Sequence, residues 1–392
     1  MRISISPHIW PPSEGRFSTP PLRLPCANAR SRLARDTGFK VLSAPLQRIA
    51  VTDTRTAKPN PSNGPEPPER LVSEVEALGQ RMAAVRKHIG RVIFGQHDVI
   101  DQTLITLLTG GHALLVGYPG LGKTLLVDTL GTVLGLEDRR VQFTPDLMPP
   151  DILGSEVLEE SDSGQRSFRF IKGPIFGQLL IADEINRASP RTQSALLQAM
   201  QEYKVSVAGK DHDLPKPFHV LATQNPLELE GTYPLPEAQL DRFLLQIDVS
   251  YPDEEAEKKL LFATTGTADA KPEQVLTAED LIAAQRLVRS VPVGDAVVDA
   301  ILKLVRSGRP DEAGDPNIRK HLAWGPGPRA SQALMLATRA RALLQGRFAP
   351  SIDDVVTLAP PVLRHRMALT FSARADGITV DTIIARLCAP LG

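Results

Sequence analysis

From Leu71 onward the chain switches between two hydrophobic periods. The first is helical: Leu71, Val75, Leu78, Met82, Val85 and Ile89 recur at three- and four-residue intervals, which gathers them on one helix face. Ile93–Phe94–Gly95–Gln96 interrupts that pattern, and Asp98–Leu108 predicts a second helix that stops at Gly110–Gly111. Short apolar runs bounded by glycine or polar residues then predict strands at Ala113–Val116, Leu179–Ala182, His219–Ala222 and Phe243–Val249. Helices are expected between them at Thr124–Leu134 and Arg191–Glu202. Strands alternating with helices predict an α/β domain, a parallel sheet sandwiched by helices, over residues 71–250.

Past Tyr251–Pro252 and the stretch "YPDEEAEKKLLFATTG" the pattern becomes all-helical. Thr277 can cap Ala278–Arg289, Asp295–Arg306 and Arg329–Gln345 follow, and Ser351 with Asp354 forms a capping box for a short fourth helix. Residues 251–392 are therefore expected to form a small all-α domain. Residues 1–70 show no sustained period and are rich in proline and arginine (Arg16, Arg23, Arg30, Arg32, Arg35). They lack the apolar segment of a secretion signal and read as a disordered tail, with Lys58–Arg70 the linker into folded protein.

Lys+Arg and Asp+Glu both number 45, so no net positive charge favours a constitutive grip on nucleic acid. Cys26 and Cys388 lie near opposite ends and fit no metal or redox spacing, which suits two free thiols in the cytoplasm. No apolar run approaches the ~20 residues of a membrane span.

Chemistry enters with "GYPGLGKT", directly after the first predicted strand. Gly117-x4-Gly122-Lys123-Thr124 fits the Walker A pattern, in which glycines let backbone N–H groups turn inward around phosphate oxygens. Lys123 would reach the β- and γ-phosphates of ATP, the Thr124 hydroxyl would ligate Mg2+, and the helix that begins there adds its positive end. In "LLIADEI" an apolar strand delivers Asp183 toward the metal, with Glu184 beside it to orient or deprotonate water. Asn225 in "ATQNP" either holds the attacking water from the opposite side or forms a plain Asn-Pro turn. Arg242 in "LPEAQLDRF" either complements a helix C-terminus or serves as a finger reaching a neighbouring subunit's γ-phosphate. Arg329, after "GPGP", is either a solvent-facing arginine or a residue that touches nucleotide.

In this order the pieces resemble an AAA+ ATPase of the MoxR family, over about Leu71 to the C-terminus. "VIFGQ" (Val92–Gln96), the glycine loop, "DLMPPDILGSEV" (Asp146–Val157), "GPIF" (Gly173–Phe176), "ADEINRASPRTQSALLQAMQE" (Ala182–Glu202), "TYPLPEAQLDRF" (Thr232–Phe243) and "LAPPVLRHRM" (Leu358–Met367) carry the resemblance. It implies that Val92, Ile93, Phe94, Gly95 and Gln96 line an adenine pocket. Phosphate would sit against Gly117, Tyr118, Pro119, Gly120, Leu121, Gly122, Lys123, Thr124 and Leu125, with Thr124 and Asp183 on Mg2+. Glu184 would be the catalytic base, Asn225 the first sensor, Arg242 the finger acting in trans, and Arg329 the second sensor on a helical lid. Residues 151–173 resemble the family's inserted hairpin, and "EESDSGQRSFRF" (Glu159–Phe170) by itself reads as a hairpin with a Ser-Gly turn.

The function so implied is Mg-dependent ATP hydrolysis by a ring, expected to be a homo-hexamer. The ring would remodel or mature a client protein with the help of a partner carrying a von Willebrand factor A domain. A magnesium-chelatase-type motor subunit, a nucleic-acid motor or transcriptional regulator, and a scaffold that binds ATP without using its hydrolysis are the alternatives. The hairpin's mixed charge and the lack of a helix-turn-helix or zinc pattern argue against nucleic acid.

Overall fold

The structure, a computed structural model, describes residues 68–391 apart from 161–165, 228–230 and 267–270, with side chains from Val72. The expected N-terminal tail and the Ser-Gly hairpin turn lie outside the described residues. The first helix, α1 (Pro68–Ile89), buries Val75, Leu78, Met82, Val85 and Ile89, the stripe its period predicts. α2 (His97–Thr109) follows and ends at Gly110 in the left-handed region, whose N–H returns to Leu107 and Thr106 carbonyls. Arg86 forks onto both carboxylate oxygens of Asp101 at 2.6 Å and fixes α1 against α2.

β1 (Ala113–Gly117) opens the sheet, and α3 (Lys123–Leu134) leaves from its carboxyl end. Then come β2 (Asp138–Gln142), the single turn α4 (Pro149–Leu153), and an antiparallel hairpin of β3 (Gly154–Glu160) and β4 (Arg166–Lys172). β5 (Leu179–Asp183) and α5 (Pro190–Glu202) precede a second hairpin, β6 (Lys204–Val207) with β7 (Lys210–Asp213). β8 (His219–Gln224), the single turn α6 (Glu237–Leu240) and β9 (Leu245–Val249) complete this part. The five sheet strands run parallel in the order β2-β5-β8-β1-β9.

Both sheet faces are covered, and successive strand residues divide between them. Ala113, Leu115, Leu179, Ile181, Leu221 and Ile247 join a core shared with α1, α2 and α3. Leu114, Leu180, Ala182, Val220 and Ala222 join a second core with α5 and Phe143, Phe218 and Phe243. Hydrophobic positions on all three central strands therefore read as continuous runs and not as alternation.

The C-terminal part contains α7 (Glu254–Thr265), α8 (Ala278–Ser290), α9 (Asp295–Ser307), α10 (Pro316–His321) and β10 (Leu322–Trp324). α11 (Pro328–Leu344), α12 (Ile352–Leu363), β11 (Ala368–Leu369), α13 (Phe371–Ala375) and α14 (Val380–Cys388) follow. Thr277 and Asp280 exchange hydrogen bonds at the start of α8, so the expected Thr277 cap is a full capping box, and the Ser351 N–H reaches Asp354 Oδ2 at 2.7 Å in the box expected there. The all-helical expectation is corrected in one place: Leu322–Trp324 pairs antiparallel with Ala368–Leu369. α11 packs against α2, α1, α8, α9 and α12, and the core it joins is continuous with the one above β1.

Candidate functional site

The carboxyl ends of β1, β5 and β8 lie side by side, where ligands bind in open parallel sheets. A cleft of about 400 Å3 at that edge is lined by Pro119–Leu125, Asp183, Glu184, Thr223 and Asn225. The local chain explains the loop. Gly120 and Gly122 take φ of 82° and 74°, where a side chain would be strained, and a Cβ on either would enter open space. Those two glycines thus leave the approach to the loop and to the N-terminus of α3 clear. Lys123 Nζ donates at 2.7 Å to the carbonyls of Gly117 and Tyr118, so its ammonium lies against the inner edge of the loop. Burial lowers the Lys123 pKa from its ordinary value, and the nearby Asp183 and Glu184 carboxylates oppose that shift.

Asp183 ends the fully buried strand β5 and is itself buried. Thr124 Oγ1 donates toward its Oδ2 at 3.4 Å, and the Arg140 guanidinium holds the same oxygen at 2.7 Å. Thr223 Oγ1 donates to Asp183 Oδ1 and accepts the Glu184 backbone N–H at 2.9 Å. Glu184 adopts φ 56°, an uncommon conformation for a side-chain-bearing residue, which the Thr223 contact helps to hold. Its Oε2 accepts from Gln142 at 2.8 Å and from Arg187 at 3.0 Å. Asn225 is buried, its Oδ1 accepting from the Leu227 N–H. Both a turn role and a place on the cleft wall are therefore realised in one residue.

Thr124 Oγ1 and Asp183 Oδ2 stand close to the ~3 Å that separates neighbouring ligands of octahedral Mg2+ with ~2.1 Å bonds. A hydroxyl with a carboxylate is also the hard-oxygen donor set this ion takes. The pair fits Mg2+.

Val92–Gln96 run beside this cleft and not along its wall. Gln96 Nε2 donates to Leu121 O at 3.1 Å, and a Cβ on Gly95 would fall 2.3 Å from Ala256 Cβ. Tyr118 stacks on Tyr251 with ring centroids 5.5 Å apart, joining the loop to the segment between β9 and α7.

Arg242 and Arg329 are not among the residues that line the phosphate-loop cleft. They meet in another cleft, about 320 Å3, with Asp241, Arg289 and Arg366. Arg242 lies just past α6, separated from it by Asp241, and Arg329 is the second residue of α11. Sequence reasoning did not single out Arg140, Gln142, Arg187 or Thr223. Only the polar stop after an apolar run could have pointed to Thr223.

The sequence profile of the "ATPase family associated with various cellular activities (AAA)" matches residues 112–245, and that of the "AAA lid domain" matches residues 316–387. The chain is 40% identical over 333 residues to Chaperone MoxR1 of Mycobacterium tuberculosis, covering 85% of this chain and 86% of that one. It is 42% identical over 313 residues to the uncharacterized protein YeaC of Bacillus subtilis, covering 80% and 94%. Protein MoxR of Methylorubrum extorquens is 31% identical over 327 residues, covering 78% and 94%. A crystal structure from Cytophaga hutchinsonii, described there as a candidate ATPase, superposes with a TM-score of 0.76 at 34% identity, covering 82% of this chain and 97% of that one.

Proposed function

Since the chain belongs to the MoxR family of AAA+ ATPases, we propose that it hydrolyses ATP with Mg2+ in a ring and uses the cycle to remodel or mature a client protein. The observation that carries this is the convergence of Pro119–Leu125, Asp183, Glu184, Thr223 and Asn225 on one cleft. Backbone N–H groups of the loop, Lys123 and the start of α3 bind and orient the triphosphate. Thr124 and Asp183 would hold Mg2+, which would supply charge neutralisation for the phosphates. Glu184 positions the attacking water and takes its proton, and Asn225 holds that water from the β8 side.

Arg242 has no side-chain hydrogen bond or ion pair among the described residues, so its guanidinium is available to a γ-phosphate. It stands in a cleft separate from its own phosphate loop, which supports action on a neighbouring protomer, with Arg329 beside it. Val92–Gln96 and the Tyr118–Tyr251 stack are the wall we assign to adenine. A hexameric ring, a von Willebrand factor A partner and a cytoplasmic site of action belong to the same proposal. The name of the mycobacterial relative supports the chaperone part.

The β3–β4 hairpin presents Val157, Leu158, Phe168 and Ile171 as exposed apolar side chains, which suits contact with protein. Both of its arginines are paired, Arg166 with Glu160 and Arg169 with Glu159, which disfavours a nucleic-acid surface. No helix among the described residues is long and apolar enough to cross a membrane.

Glu184→Gln tests the reading: ATP binding is retained, turnover falls ~10²–10⁴-fold, and client stays bound to the ATP-loaded variant. Turnover at the wild-type rate would remove Glu184 from the chemistry.

A further inference from the structure

Asp241 stands between two arginines of the C-terminal helices. Arg366, in the turn Arg364–Arg366 after α12, donates its Nε–H to Asp241 Oδ1 at 2.7 Å. Its remaining N–H groups go to the carbonyls of Val362 (2.6 Å), Phe243 (2.6 Å), Leu244 (3.0 Å) and Asp241 (3.3 Å). The side chain is only 3% exposed. A charge so deeply buried persists only when it is paired and its donors are satisfied, and here all the pairing is to residues 241–244 and to Val362 near the end of α12. The other carboxylate oxygen, Oδ2, lies 3.7 Å from an Arg329 terminal nitrogen.

The backbone bond after Asp241 leads to Arg242. One aspartate is thus tied on one side to Arg366 and on the other to Arg329, while its sequence neighbour carries a guanidinium with no ion pair among the described residues. Asp241, Arg242, Arg329 and Arg366 all line the same cleft. His365 reinforces the attachment through Nε2 on Phe243 O at 3.0 Å.

We propose that Asp241 and Arg366 are positioning residues, a clamp that aims Arg242 and Arg329 together at the phosphate of the adjoining protomer. The clamp gives the C-terminal helices a direct hold on the finger, so a rotation of those helices re-aims both arginines at once. This rests on the reading of Arg242 as acting in trans, and the test separates failure of the clamp from failure of that reading.

Asp241→Asn keeps the shape and removes the charge shared by the two arginines. In the full-length protein it should bind a fluorescent ATP analogue with wild-type affinity and lose turnover ~10²-fold, the scale of a ~1 Å misplacement of a catalytic group. Mixing it with Glu184→Gln, whose Arg242 and clamp are intact, should restore turnover at the Asp241→Asn sites. Arg242→Ala mixed with Glu184→Gln is the control and should be restored in the same way. Arg366→Lys, which keeps the charge but not the fork, should repeat the Asp241→Asn pattern and serves where that variant folds poorly.

Restoration of Arg242→Ala without restoration of Asp241→Asn overturns the clamp and leaves the finger standing. Wild-type turnover in both clamp variants does the same. Failure to restore Arg242→Ala overturns action in trans, and the clamp falls with it.

Discussion

Gln142 at the end of β2 donates its side-chain N–H to Glu184 Oε2 at 2.8 Å, across the sheet from the phosphate loop. With Arg187 on the same oxygen, the carboxylate we propose as the base is held by two donors. Each donor occupies acceptor capacity on that oxygen that a water would otherwise use. Gln142→Ala removes one of them and should raise basal turnover about three- to tenfold, on the order of 1 kcal/mol, with nucleotide affinity unchanged. Steady-state kinetics beside equilibrium nucleotide binding would check this, and a fall in turnover would show that Gln142 assists Glu184.

Arg140 occupies the oxygen that we assign to metal. Its guanidinium sits 2.7 Å from Asp183 Oδ2, the oxygen nearest Thr124, and is half exposed. Mg2+ must share or displace it, so Arg140→Ala should lower the Mg2+ concentration for half-maximal turnover several-fold. Titration of Mg2+ at saturating ATP reads this directly. A higher requirement would assign Arg140 to phosphate binding.

These two residues mark where the sequence was silent. The glycine loop and Asp183 were legible because glycines, a lysine and a carboxylate after an apolar strand rarely coincide except around phosphate and metal. β2 reads "DRRVQ" and lies at the sheet edge with Val141 its one buried side chain, so it shows neither an apolar run nor alternation. Arg140 and Gln142 were hidden with it. The β6–β7 hairpin is short, with alternation only in the four residues "KVSV" and none in "KDHD", and its Ala208–Gly209 turn takes φ of 49° and 79°. Thr223 passes in sequence for an ordinary β-branched strand residue. Arg366 was visible only as part of "LAPPVLRHRM", since arginine is expected outside and its burial follows from packing against residues 241–244.

Thr223 holds both Asp183 and Glu184 from a fully buried position. Thr223→Val keeps the volume but leaves Asp183 short of a donor and the Glu184 N–H short of an acceptor. Each unsatisfied buried group costs about 1–3 kcal/mol, so thermal unfolding should drop by several degrees. Turnover should fall further than nucleotide affinity, because Glu184 loses a contact that helps to hold its left-handed backbone. Thr223→Ser, which retains the hydroxyl, should restore most of both. Equal behaviour of the two variants would make the methyl group, and not the hydroxyl, the functional part.

Acid should weaken the fold through two buried histidines, His112 just before β1 and His219 at the start of β8. His112 Nδ1 accepts the Val220 N–H, which leaves Nε2 to donate to Met200 O. His219 Nδ1 lies 2.9 Å from Gly111 O and must donate, so Nε2 accepts from Gln285 of α8. A second proton on either ring would set a donor against a donor. Burial is the main cause that pushes His112 down to about 3 and His219 to about 4 from an ordinary value of 6.5. The unfolded chain therefore takes up these protons first as pH falls. The stability they contribute is complete above pH 6.5 and is lost below it, at ~1.4 kcal/mol per pH unit for each histidine until its native value is reached. Urea midpoints measured from pH 7 to pH 5 should fall accordingly. His219→Gln, which can still donate to Gly111, should reduce that slope by about one proton. An unchanged slope would mean that His219 is protonated within the folded protein and that its contact with Gln285 is made in the charged form.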